Sequence, residues 1–153
     1  MSTRPLVVAG TLAVAVAGAV ACGTADSGGD DARLRALRAD PLGRYVPTGA
    51  RPLSSDGRGA GGSGLLGKPT AASWRRTFAA PTNADAAIEA TLEAARAAGW
   101  AVGRPVPGLG SSATKRLATG SAAASITLVR DPALLPPGAQ GPVLGIALEH
   151  ARE

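Results

Sequence analysis

"TNADAAIEATLEAARAAGW", residues 82–100, carries the strongest periodic signal in the chain. Ala84, Ile88, Leu92 and Ala95 recur at helical spacing and form a narrow apolar stripe, while Glu89, Glu93 and Arg96 fall on the opposite side. Thr82 followed by Asp85 matches an acidic variant of the capping box, so the helix is expected to begin there. Gly99 suits the left-handed turn that ends a helix, with Trp100 placed to fold back on the last turn. One apolar stripe has to lie against another layer. The flanking sequence supplies that layer as strands.

"ASWRRTF", residues 72–78, alternates, with Trp74 and Phe78 inward, Arg76 beside them, and Ser73, Arg75 and Thr77 outward. Past the helix, "WAVGRPV" is a strand cut short by Pro105 and Pro107. "SATKRLATGSAAASITLVR", residues 112–130, predicts a hairpin turning at Thr119-Gly120-Ser121, with Ala124, Ile126 and Leu128 inward. "DPALLPPGAQGP" is a surface loop by its prolines, and "VLGIALEH" is a last strand with Leu144, Ile146 and Leu148 on one face. The expected fold is α+β, a small antiparallel sheet of about four to five strands with one helix packed on it. Residues 65–153 are assigned to this domain. One small core without disulfides is feasible at that size.

The segments before it divide differently. Arg4 precedes residues 6–21, an uncharged run of small and aliphatic residues. A helix of that length is roughly 24 Å long against a ~30 Å hydrocarbon core, which fits the apolar part of a secretory signal better than a permanent span. Residues 1–21 are therefore read as a signal peptide. "GTADSGGDD" is small, polar and acidic, so residues 22–32 form a disordered tether. In residues 33–64 a short helix or turn carries Leu34, Leu37, Leu42 and Tyr45, able to dock on the domain, and Asp40-Pro41 stops it. Arg33, Arg35 and Arg38 also allow a basic amphipathic membrane helix, though a very short one. "PTGARPLSSDGRGAGGSG", residues 47–64, is read as a flexible loop.

Two nucleotide motifs overlap here and both fail. "GGSGLLGKPT" has Gly62, four residues and Gly67-Lys68, but Pro69 stands where a magnesium-binding hydroxyl is needed. "GAGGSG" spells G-x-G-x-x-G, yet no buried strand is expected before the first motif, and neither a strand before nor a helix after the second. Neither nucleotide nor nucleic acid is an expected partner, and no cofactor is expected. Catalysis is poorly supplied. The only histidine is His150, on the strand face of Ile146 and Leu148, and no serine stands in G-x-S-x-G. Metal ligands are not clustered, and Glu89 and Glu93 belong to the solvated side of a helix. The reading is non-enzymatic.

Ala19-Val20-Ala21-Cys22 resembles the lipobox of bacterial lipoproteins, in which a small residue before the cysteine admits the processing peptidase. That resemblance implies Cys22 as a lipid-modified N-terminus, with membrane lipid as its partner. Cys22 is the single cysteine, so the chain forms no internal disulfide. Residues 1 to 100 are also loosely similar to small actinobacterial lipoproteins with an "ADPLGRYVPTGA"-type segment after the tether and a Trp/Arg-rich strand before the helix. No activity comes with that likeness. The chain carries +5 at neutral pH, and losing residues 1–21 removes only Arg4. In an exported protein, mild basicity points to anionic headgroups or envelope polymers, but an Arg-, Ala- and Gly-rich composition reads first as ordinary solvated charge.

What remains is a surface. Strand alternation turns Ser73, Arg75, Thr77, Arg116, Ser125 and Thr127 outward. Arg75 and Arg116, expected on neighbouring strands, mark the candidate contact face, because a guanidinium fork suits carboxylate or phosphate. The expectation is a lipid-anchored envelope protein on the extracytoplasmic face of the membrane. It serves as an interaction module for an envelope protein or an anionic envelope component. The alternative is a ligand carrier or accessory subunit that binds an anionic small molecule.

Overall fold

Burial picks out the face of residues 84–95 that the periodicity chose. Ala84, Ile88, Leu92 and Ala95 are buried together with Ala87 and Thr91, and Glu89, Glu93 and Arg96 are exposed. Thr91 is tolerated inside because its hydroxyl donates to the Ala87 carbonyl at 2.7 Å. The computed structural model describes residues 31–61 and 70–151. In it the helix (α3) runs Ala84–Ala97. Its cap is Asn83 rather than Thr82, the Asn83 side chain accepting from the Ala86 N–H at 3.1 Å. The side chain next to the first turn takes the role. Gly99 has φ +81°, its N–H donates to Arg96 and that of Trp100 to Ala95, the paired bonds of a Schellman ending.

The other elements are α1 (Ala32–Ala39), α2 (Pro41–Arg44), β1 (Arg51–Arg58), β2 (Ser73–Ala79), β3 (Ala101–Val102), β4 (Gly110–Leu117), β5 (Gly120–Val129), a 3-10 turn (Pro132–Leu134) and β6 (Val143–His150). The fold is α+β with one antiparallel sheet of six strands, ordered β1-β2-β6-β5-β4-β3. The expected count of four to five strands misses β1. Residues 51–58 are not the flexible loop that their composition suggests, and a strand, though an exposed one, does precede the G-x-G-x-x-G stretch. Arg51–Arg58 pairs with β2 from Arg51↔Ala79 to Arg58↔Ser73, with an irregularity between Pro52 and Ser54. Pro52, the bulge and the charged ends suit the outermost position, where a strand has to resist pairing with another chain. The hairpin turn also sits earlier than expected, at Ala118-Thr119, since Gly120 already pairs with Leu117.

All helices lie on one face of the sheet. There Phe78, Ile126, Leu128, Leu144, Ile146 and Leu148 are at most 2% exposed, and α3 packs over β5, β4 and β3. The β2–β6 half is covered by α1 and α2, so α3 is not the single helix on the sheet. Leu34, Leu37 and Leu42 are buried there, each contributing ~1.5–3 kcal/mol by leaving water. That burial occupies the apolar side of α1, the side a membrane-surface helix would need. Gly43 permits the fit: a Cβ at that position would stand 2.1 Å from the Leu37 carbonyl oxygen. Among the described residues no helix is long and apolar enough to cross a membrane.

Polar contacts bind this strap to the rest. The carboxylate of Asp31 caps α1, accepting from the Leu34 N–H at 2.6 Å and, on its other oxygen, from the Ala60 N–H at 2.5 Å. Slight burial pushes its pKa up, but hydrogen bonds from the Leu34, Ala60 and Arg33 backbone and the Arg33 charge hold it below the ordinary 3.8. Arg76, the charged residue among the inward aromatics, lies over the Phe78 ring and donates to the Tyr45 carbonyl at 2.9 Å. Trp74, half-buried, donates to the Gly43 carbonyl at 3.0 Å and stacks under Arg38. Asp40, 5% exposed, accepts from the Leu42 N–H and from Trp100 Nε1, both at 2.9 Å, and from Lys115 Nζ at 2.5 Å.

Candidate functional site

The sheet face turned away from the helices is open, and strand register gives its layout. One row across it reads Thr114, Ala123, Glu149, Ser73, Arg58, and the next reads Ser112, Ser125, Ala147, Arg75, Asp56. A third reads Gly110, Thr127, Gly145, Thr77, Ser54. The four central strands therefore present mostly Ala, Gly, Ser and Thr. Hydroxyls are plentiful, and Ser54 and Thr77 bond each other at 2.7 Å. Charges stand toward β1 and at the Arg116 corner.

Arg75 and Arg116 are both exposed on this face, as alternation requires. They do not stand on neighbouring strands. β6 and β5 lie between β2 and β4, and the row of Arg75 meets β4 at Ser112, four residues before Arg116. With ~4.8 Å between strands and ~3.4 Å per residue, the two Cα atoms are about 20 Å apart. No single carboxylate spans that. The expectation of adjacency fails because β6, the last strand in the chain, is inserted between the hairpin and β2. A contiguous "strand, then hairpin" in the sequence does not stay contiguous in the sheet.

Local charge is balanced around Arg75. Asp56 is its direct cross-strand partner, Glu149 is diagonal on β6, and Arg58 stands opposite Ser73 in the next row. Two guanidiniums and two carboxylates make a quartet of balanced charge in which Arg75 and Asp56 are the one directly opposed pair. That suits a partner carrying both signs better than a bare phosphate. Three hollows mark the face. One of about 290 Å³ lies among the quartet, and one of about 530 Å³ runs along Ala101, Thr114, Arg116, Ser121 and Ala123. A third, about 400 Å³, has Thr77, Thr127 and Gly145 as its floor and Leu134 and Pro136 as a wall. Gly145 keeps that floor low, since a Cβ there would stand 3.0 Å from Thr127 Oγ1.

The other singled-out residues fall elsewhere. His150 is buried, its Nε2 2.8 Å from Thr119 Oγ1, so the imidazole fastens the β4–β5 turn to the end of β6. Glu89 and Glu93 are exposed on α3, and Glu93 pairs with Arg96. Cys22 and Lys68 lie outside the described residues, as do most of the two glycine motifs. No group of three or more His, Cys, Asp or Glu is placed to hold a metal ion among the described residues. The Asp40–Trp100–Lys115 cluster has no counterpart among the sequence expectations. Its sequence signal is faint: on β4 the inward register runs Ala113, Lys115, Leu117, and an inward lysine needs a buried acceptor. The chain matches no family model, and comparison with characterised proteins and with solved structures found no counterpart.

Proposed function

We propose that this chain is an envelope lipoprotein, held to the membrane through an acylated Cys22, whose α+β domain is a non-enzymatic interaction module working through its open sheet face. The observation that carries the second half is the asymmetry of the two faces. One is sealed by three helices over an apolar core, and the other keeps its hydroxyls, small side chains and the Arg75 quartet in water. A broad polar surface with balanced charge suits a protein contact, where hydrogen bonds and charge pairs set register more than raw affinity. The lipobox-like Ala19–Cys22 supports the first half. Two acyl chains hold a protein on a bilayer far more stably than one.

The carrier reading keeps one specific support, the hollow of about 400 Å³ beside Arg75, within the range of small-ligand sites. Glu149 also lines that hollow and opposes an anion there. Protein contact is the better reading. Metabolic labelling with a fatty acid tests the anchor: label is expected on the wild type and absent from Cys22→Ala, which should stay unprocessed or leave the membrane. Label retained on Cys22→Ala would sink the assignment.

A further inference from the structure

Because successive strands are antiparallel, every connection leaves the sheet at one of two ends, and the two ends differ in chemistry. The end with Arg58, Ser73, Leu117, Gly120 and His150 also receives the chain, since Asp31 is fastened to Ala60 just beyond β1. The opposite end collects the loops 45–50, 80–83, 103–109 and 130–142. Val46, Val106, Leu109 and Leu134, the exposed large apolar side chains among the described residues, all lie on those loops, at 46%, 53%, 61% and 72% exposure. Leu134 also walls the hollow beside Arg75, so this end is continuous with the open face.

We propose that the loop end is a protein-docking tip held away from the bilayer, and that it receives an apolar segment flanked by acidic residues. This rests on the anchoring reading above. From Cys22 to Asp31 there are nine Cα steps, which span at most ~30–32 Å. From Val143 to His150 there are seven such steps, so β6 alone covers ~23 Å from one end of the sheet to the other. A tether that short leaves the Asp31 end nearest the lipid and brings the loop end down only when pulled nearly straight along the whole molecule.

Composition argues against lipid as well. Interfacial anchors favour Trp and Tyr, yet the chain's only aromatics are Trp74, Trp100, Tyr45 and Phe78. Phe78 and Trp100 are buried, and Trp74 and Tyr45 are half-buried against the core. Aliphatic side chains on proline-braced loops, at Pro105, Pro107, Pro132 and Pro136, lose little freedom when a protein covers them. Arg51 and Arg104 are exposed at this end, and neither forms an ion pair among the described residues, which favours acidic flanks on the partner.

The test uses the acylated full chain, in which a second cysteine is the only free thiol. Leu134→Cys and Ala118→Cys place a fluorophore at opposite ends, on vesicles of phosphatidylglycerol and phosphatidylethanolamine with a short-range headgroup quencher. The label at 118 should be quenched at least several-fold more than that at 134. The same two thiols, carrying a photocrosslinker in intact cells, should give a discrete protein adduct from 134 only. That adduct should be lost when Leu109→Ser is added. Equal quenching at both positions, or lipid as the adduct at 134, overturns the docking tip and makes the loops a membrane contact. An adduct indifferent to Leu109→Ser also overturns it. Protein recovered free of the vesicles removes the anchor reading itself, a different result from bound protein with a quenched tip.

Discussion

Asp40 shows how much one side chain can organise. It ends α1, caps α2 and receives Lys115 and the Trp100 indole from elements far along the chain. Removing one partner of a buried ion pair costs ~3–5 kcal/mol, because the other charge is left without a partner, against a total of ~5–15 kcal/mol for a domain. Asp40→Ala should therefore lower the urea midpoint steeply. The Lys115→Met variant should lose less, since Asp40 keeps two donors and the stem of residue 115 still packs. Similar small losses in both would show that the cluster contributes little. Asp31 sets a pH dependence. Its folded pKa lies below the unfolded value near 3.8, so its contribution is full above that value and fades as pH falls through the folded pKa. The stability gap between wild type and Asp31→Ala should be constant from neutral pH to about 5 and shrink in stronger acid. A gap that widened on acidification would contradict the cap.

At the scale of elements, legibility followed burial. α3, β5 and β6 each bury one face, so apolar periodicity is written into them, and Ile88, Leu92, Ile126 and its cross-strand partner Ile146 were all legible as core. β1 is the opposite case. Seven of its eight residues are exposed, so no hydrophobic alternation records it, and backbone pairing to β2 defines it. Its glycine, serines and proline then look like a loop. Leu34, Leu37 and Leu42 were readable as docking residues, but where they dock depends on Trp74, Arg76 and Gly43 meeting across more than thirty residues. α3 permits a direct check. Leu92→Ala removes a buried side chain and should cost ~2–5 kcal/mol, while Glu89→Ala on the wet side should stay within about 0.5 kcal/mol. Equal denaturation midpoints would mean that the buried face is misassigned.

Across the whole molecule, the open face was legible only as a list of outward residues. Alternation finds Arg75 and Arg116, but the insertion of β6 and β5 between their strands is a matter of topology that no local pattern encodes. At about 20 Å they act on separate parts of any partner, and distant sites add. The losses in partner binding from Arg75→Glu and Arg116→Glu should therefore sum in the double variant, and both should be larger at low salt. The most direct measurement of the central claim is site-specific photocrosslinking in intact cells from Ala123, on a central strand of the open face one row from Arg75, set against Glu89 on the helical side. A discrete protein adduct from position 123, diminished by Arg75→Glu and absent from position 89, is the expected result. No adduct from 123, or the same adduct from both sides, would contradict the account.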